Sequence, residues 1–437
     1  MQAWKSWKRL FNEKHLKEHF IEKINKQPSV GLDKVTPHAF QNNLDEDVEI
    51  ILRKVNNLTY NFTRYKQLLI LKGAEKPPRN ISIPTVRDKL TISVLNELLN
   101  DVYGDKCTVK MPQVIINEIS HSIQAYTHFV KIDIKTFFAS IDQQLLFNVI
   151  SSKIHKHEII TLVKKAVQTP SIAIPVQNRN SAIKKTTGIP EGLPISNSLA
   201  NIFLSDIDYK YSNMPDIKYW RYVDDILLLL NEYNFDKIKN SIVSDITKKK
   251  LSINEKKDEG EIEKGFTYLG YIISNDGLSV RDSSVLKFEQ SIELLFRKIK
   301  SNDNIEYINW KINLKITGFI INRNKYGWIF FFSQITDMNL LFHLDNLVNK
   351  FIVRYDLADK VKPKRFVRAY HEIRNALHTT RYVPNIDNWD IDYRKKILSQ
   401  IYGVNLASLN ESQISYRFNK IMSKEIQDIE KDVQEFS

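Results

Sequence analysis

Three aspartates carry the strongest chemical signal in this chain. Asp224 and Asp225 stand side by side in Tyr222-Val223-Asp224-Asp225, between the apolar stretches Ile217 to Val223 and Ile226 to Leu230. Two like charges at the tip of a buried hairpin repel each other, and a divalent cation removes that cost. Asp133 lies upstream in Phe129-Val130-Lys131-Ile132-Asp133-Ile134-Lys135. The alternation puts Val130, Ile132 and Ile134 on one face of a strand and Lys131, Asp133 and Lys135 on the other. A strand-borne carboxylate beside a hairpin with two more is the ligand set that holds two Mg²⁺ ions about 3.5–4 Å apart for in-line displacement at phosphorus. Each piece alone has a plainer reading: Asp-Asp makes a good turn, and Asp133 could be a solvent-facing strand residue.

The elements between these residues must bring them together. Gly188-Ile189-Pro190-Glu191-Gly192-Leu193-Pro194-Ile195 is a constrained loop with two glycines and two prolines. Ser196 or Asn197 is placed to cap a following helix, whose apolar stripe is Leu199, Ile202, Phe203, Leu204 and Ile207. A loop of so little side-chain bulk lets a nucleotide or base approach its backbone closely. Upstream, residues 1–95 read mostly as helices, with short strands at 68–71 and 81–83. From about Ser283 the pattern turns helical, with Val285, Phe288, Ile292, Leu295 and Ile299 recurring every three or four residues. The aromatic run Tyr326 to Phe332 reads as core more readily than as a base-stacking platform.

The order strand-Asp, Gly/Pro loop with helix, Asp-Asp hairpin resembles the palm of a reverse transcriptase. Asp133 matches motif A, Gly188 to Asn201 motif B, and Tyr222 to Asp225 the Tyr-x-Asp-Asp box of motif C. Asn254-Glu255-Lys256-Lys257 resembles motif D, and Phe266 to Tyr271 the motif E primer grip. Arg79 to Leu90 resembles the fingers motif of bacterial reverse transcriptases, and Gly31-Leu32-Asp33-Lys34 the extra N-terminal motif of group II intron and related enzymes. Seven ordered motifs are specific where any one is not.

The resemblance implies roles. Asp133, Asp224 and Asp225, with the backbone carbonyl of Ile134, would hold two Mg²⁺ ions, with Mn²⁺ as a substitute. Lys257 would be the general acid that protonates pyrophosphate, its plainer reading being a solvated lysine. Arg79 and Arg87 would clamp the triphosphate, with Gly192 beside the nucleotide. Phe138, five residues after Asp133, sits where the family excludes a ribose 2′-hydroxyl, although core packing beside Phe137 would also explain it. Tyr268, Leu269 and Gly270 would form the primer grip. Glu191 departs from the family's usual Gln; its charge would repel a triphosphate unless an Arg or Lys pairs with it. In the C-terminal part, Lys362, Lys364, Arg365 and Arg368 concentrate charge that would track nucleic-acid phosphates, or else line a solvated helix face.

At 437 residues the chain can form two or three lobes, and Lys plus Arg exceeds Asp plus Glu by 64 − 51 = 13. That balance suits a polyanion partner, though an AT-rich genome also enriches lysine. Cys107 is the only cysteine, which excludes an intramolecular disulfide and a Cys-rich zinc site. The N-terminus lacks an apolar signal core, and no run is long enough to span a bilayer, so a cytoplasmic protein is expected. No pattern for an RNase H domain or a His-Asn-His endonuclease follows residue 285.

The expected fold is α+β, a right-hand polymerase: N-terminal helices and fingers over 1–95, fingers and palm over 96–285, and a helical thumb with C-terminal extension over 286–437. The expected function is RNA-directed DNA synthesis from dNTPs, resembling most the defence-associated bacterial enzymes that work with a structured noncoding RNA. An operon-encoded protein or a second copy would be a further partner. Template-independent or protein-primed synthesis, and a catalytically silent nucleic-acid scaffold, are the alternatives.

Overall fold

The computed structural model describes residues 2–25, 29–70, 78–173, 186–254, 258–299 and 304–433. The chain divides into two compact units, one from 1–110 with 128–259, the other from 111–127 with 260–437.

In the first unit a four-stranded sheet has the spatial order Lys218–Tyr222, Asp225–Leu230, His128–Asp133, Asp258–Glu261. Val130 lies opposite Leu228 and Ile132 opposite Ile226, in an antiparallel register that continues to Asp133 opposite Asp225. The pleat sends Val130, Ile132, Ile226 and Leu228 to one face. There they share a buried cluster with Leu199, Ile202 and Phe203 of the Ser196–Ser212 helix and Ile238, Ile242 and Ile246 of the Phe235–Lys248 helix. Burying each such side chain is worth about 1.5–3 kcal/mol, and a slip by one residue would turn Asp133 and Asp225 into that core. The hydrophobic pattern therefore fixes where the carboxylates emerge.

A second sheet places Tyr65–Ile70 between Arg79–Ile83, its antiparallel partner, and Ser171–Ile172, its parallel one. The expected strand at 68–71 thus begins earlier, at Tyr65, and residues 71–77 lie outside the described set. The Val86–Tyr103 helix follows directly, with the Thr85 hydroxyl accepting from the Asp88 N–H. Leu90, Ile92, Val94, Leu95, Leu98 and Leu99 are all buried, so apolar residues surround the helix instead of forming one stripe. The helices Ala3–Leu10 and Glu13–His19 pack against it.

The second unit contains a three-stranded meander, Phe266–Tyr268, Tyr271–Ser274 and Gly277–Val280. Helices then dominate: Asp282–Arg297, Ile305–Thr317, Met338–Arg354, Phe366–Asn375 and Glu411–Glu430. The helical periodicity after Ser283 is realised, with Phe288, Ile292 and Phe296 buried. Trp328 stacks on Phe288 at 4.6 Å between ring centroids, and Phe330 and Phe332 are buried, so this part of the aromatic run is core. The whole is α+β.

Candidate active site

The hairpin that carries Asp224 and Asp225 is as tight as a hairpin can be. Tyr222 pairs with Asp225, leaving Val223 and Asp224 as the turn, and Val223 takes φ +57°. A β-branched residue resists that left-handed conformation, so the surroundings must hold it there. Arg221 supplies the hold. From the core face of its strand it donates through Nη1 to the Val223 carbonyl at 2.8 Å and to Asn201 Oδ1 at 3.2 Å. Its Nε and Nη2 form a fork on Asp208 at 2.8 and 2.6 Å. Asn201 and Asp208 both belong to the Ser196–Ser212 helix, so that helix anchors the turn.

Asp133 is aligned from two sides. Its strand register sets it opposite Asp225, and the Ile134 N–H donates to the Asp224 carbonyl at 3.2 Å. Asn254 donates from its side chain to Asp133 Oδ2 at 2.6 Å and from its backbone to the Asp133 carbonyl at 2.9 Å. The register thus places the three aspartates at one end of the sheet. Burial, most of all, raises the Asp225 carboxyl to about 6; Lys131 opposes the shift, and Asp224 and Asp133 add to it. Lys131 is itself drawn to Asp258 at 2.8 Å. Asp133 and Asp225 stand opposite each other across the strands with Asp224 next in the turn; three carboxylates are a hard-oxygen donor set of the kind a divalent cation takes, although here their oxygens do not all lie within 4.8 Å of one another.

The Gly188–Leu193 loop docks on the Arg79–Ile83 strand. The Ser82 N–H donates to the Glu191 carbonyl at 2.7 Å, and Gly192 has φ +90°. A Cβ on Gly192 would lie 2.6 Å from Ile81 Cγ2 and 3.2 Å from the Ser82 carbonyl oxygen, so the position requires glycine. The Glu191 carboxylate finds the partner it needs: Arg79 Nε donates to Oε2 at 2.6 Å. The expected cap at Ser196 or Asn197 is not made. The helix begins at Ser196, the cap position is Ile195 with no side-chain bond, and the Ser196 hydroxyl turns back to the Pro190 carbonyl, tying the loop to the helix. Phe138 is 8% exposed within the core cluster, and its carbonyl accepts from the Ile189 N–H at 2.8 Å.

Other candidate residues are placed as follows. Arg87 donates to Asp47 Oδ1 at 2.9 Å, so its guanidinium is already held by a carboxylate. In the second unit, Leu269 and Gly270 form a two-residue turn at φ +48° and +82°, the hairpin geometry that matches strand twist, and Tyr268 and Leu269 are buried. Lys362, Arg365 and Arg368 are exposed, whereas Lys364 donates to the Tyr382 carbonyl. Lys257 lies outside the described residues. Arg221, Asp208 and the bonding role of Asn254 were not anticipated. The available signal for Arg221 was its position two residues after Tyr219, on the face of the strand that turns inward.

Residues 70–273 match the family described as "Reverse transcriptase (RNA-dependent DNA polymerase)". An uncharacterized 91 kDa protein in cob intron of Schizosaccharomyces pombe is 25% identical over 207 residues, 44% of this chain and 24% of that protein. The group II intron-encoded protein LtrA of Lactococcus lactis subsp. cremoris is 27% identical over 173 residues, 38% of this chain and 28% of that protein. The match thus spans about a quarter of each of these relatives. Among solved structures, telomerase from Candida albicans in complex with a TWJ fragment of telomeric RNA has a TM-score of 0.43 at 10% identity, over 89% of this chain and 67% of that chain.

Proposed function

We propose that this chain, which carries a reverse transcriptase domain over residues 70–273, is an RNA-directed DNA polymerase that adds dNTPs to a primer end. The observation that carries the reading is the convergence of Asp133, Asp224 and Asp225 at one end of a sheet whose register the core enforces. Asp133, Asp224 and Asp225, with the Ile134 carbonyl, would hold two Mg²⁺ ions. Bound there, such ions supply charge neutralisation at the phosphates and an acidified primer hydroxyl.

The chain's own residues do the positioning. Asn254 orients Asp133, and Arg221 fixes the turn that presents Asp224. Arg79 would meet the triphosphate, exchanging or sharing its contact with Glu191, and Gly192 keeps the loop backbone close to the Arg79–Ile83 strand. Phe138 would set the floor under the sugar and disfavour a 2′-hydroxyl. Tyr268, Leu269 and Gly270 would steady the primer end, Arg87 would reach phosphate only by leaving Asp47, and Lys257 would protonate pyrophosphate. Lys362, Lys364, Arg365 and Arg368 would contact nucleic-acid backbone.

The biological reading is a cytoplasmic bacterial antiphage enzyme whose template is a structured noncoding RNA, acting with an operon-encoded partner or a second copy. The resemblance of residues 326–348 to the thumb region of defence-associated bacterial enzymes supports it. Purification from cells, with sequencing of the bound RNA and DNA beside an Asp224→Asn variant, tests both levels. DNA complementary to one abundant bound RNA, and absent from the variant, is expected. Asp224-dependent DNA without a complement would replace templated with untemplated synthesis. Identical nucleic acids in both preparations would leave a silent scaffold.

A further inference from the structure

A second cluster of metal-ligating atoms lies on residues remote in sequence from the aspartates. The Glu13–His19 helix carries His15 and His19 four residues apart, and so on one face. Both turn toward Glu97 of the Val86–Tyr103 helix. His15 Nε2 lies 3.2 Å and His19 Nδ1 3.1 Å from the same oxygen, Glu97 Oε2. One ligand atom from each residue lies within 4.8 Å of the other two. A tetrahedral ion bound at about 2.0–2.1 Å to nitrogen and oxygen sets its ligand atoms roughly 3.3 Å apart, close to the two shortest of these separations.

The far side of His19 has a partner that can orient the ring. Its Nε2 is 2.7 Å from Ser93 Oγ, one turn before Glu97 on the same helix. With the proton on Nδ1, the ring donates to Glu97 and accepts from the Ser93 hydroxyl; with the proton on Nε2, it donates to Ser93 and Nδ1 presents a lone pair toward the carboxylate oxygen at 3.1 Å, the arrangement in which a cation fits between them. The ring of a metal-binding histidine is ordinarily oriented by such a bond from its other nitrogen. Two cations flank the group: Arg9 and Lys23 each come within 4.0 Å of Glu97. Arg9 has its own carboxylate in Asp101, and the Lys23 side chain is more than half exposed.

We propose that His15, His19 and Glu97 form a binding site for a divalent transition-metal ion of the zinc class. The donors are two neutral imidazoles and one carboxylate, with a solvent water as the fourth ligand. His19 is buried and His15 half-buried, so the ion would enter from the His15 side. It would clamp the N-terminal helices to the Val86–Tyr103 helix, and so to the strand that carries Arg79. This inference does not depend on the polymerase reading.

The probe is Co²⁺, titrated into chelator-stripped full-length protein with Mg²⁺ in excess to occupy the all-oxygen site. The expected result is one Co²⁺ per chain with the intense visible bands of a tetrahedral nitrogen–oxygen site, displaced by one equivalent of Zn²⁺. His15→Gln and Glu97→Gln should each abolish the bands, and Ser93→Ala should weaken affinity roughly tenfold. Asp224→Asn should leave the titration unchanged, which separates this site from the aspartate cluster. Zn²⁺ should raise the Tm of the wild type and not that of His15→Gln. Should a variant fold poorly, X-ray absorption on zinc-loaded wild type decides, with two imidazoles in the shell expected. Absent bands, bands surviving in both His15→Gln and Glu97→Gln, or an all-oxygen shell would overturn the proposal.

Discussion

At the scale of single residues, the proposed site depends on Arg221, which holds the turn from behind. Arg221 binds the Val223 carbonyl with one nitrogen and Asp208 with two others, so the turn and the helix behind it move as one piece. Arg221→Lys keeps the charge but cannot span both partners. If Asp224 acts in dNTP addition as proposed, steady-state kinetics should show a roughly 10- to 100-fold fall in kcat with KM for dNTP nearly constant, since a small displacement of Asp224 would cost reaction geometry and not nucleotide binding. A parallel rise in KM would mean instead that the Gly188–Leu193 loop and the Arg79–Ile83 strand had shifted. A second residue makes a pH prediction. Burial lowers the Lys89 ammonium to about 8, although its Nζ reaches Ser29 Oγ at 2.6 Å. Between pH 8 and the ordinary lysine value of about 10.5, the unfolded chain holds a proton that the folded chain has released. Stability from this group therefore rises with pH across that window and stays at its lower level below 8. Urea titrations at pH 7 and pH 10 should show this increment in the wild type. Lys89→Met should lack it and be the more stable form at pH 7.

At the scale of elements, legibility followed periodicity. The strand His128–Asp133 and the hairpin Lys218–Leu230 were readable because a period of two, interrupted by a two-residue turn, admits one burial pattern. The Ser196–Ser212 helix was readable from its apolar stripe, but its start was not. Ser196 looked like a cap and instead uses its hydroxyl to hold the Pro190 carbonyl, a choice made by the loop's path and not by local preference. Glu191 shows the same limit from the other direction. Its charge signalled that a cation must be near, and only the fold, across 112 residues, made that cation Arg79. The glycine beside it gives a test at this scale. Gly192→Ala imposes a left-handed alanine, costing about 1–2 kcal/mol, and sets a methyl group against Ile81. The loop should lift from the Arg79–Ile83 strand. A Tm lowered by several degrees and a raised KM for dNTP are expected together; a lowered Tm with unchanged KM would separate the loop from nucleotide binding.

At the scale of the molecule, the sequence does not announce that residues 111–127 leave the first unit to join the second, because the helix Pro112–Ser122 has the same apolar character as its neighbours. Charge is read more easily, but its distribution is not. The excess of 13 positive charges says that a polyanion is welcome somewhere. The segment Lys362 to Arg368 is the concrete candidate, and its cations are not equivalent. Arg365 and Arg368 are exposed, with carboxylates only at 3.4 and 3.3 Å from their Nε atoms. Lys364 is engaged by the Tyr382 carbonyl and lies 5.0 Å over that ring, and burial lowers its pKa, so its ammonium serves the fold. If the segment binds nucleic acid, replacing Arg365 and Arg368 together by Gln should reduce the slope of log affinity against log salt by about 1.4–1.8, two phosphate contacts' worth. Lys364→Gln should leave the slope alone and lower the Tm. Fluorescence titrations of labelled RNA at several salt concentrations give both numbers. A slope unmoved by the double substitution would make this segment a solvated helix face and send the search for the polyanion's path to the other basic surfaces of the chain.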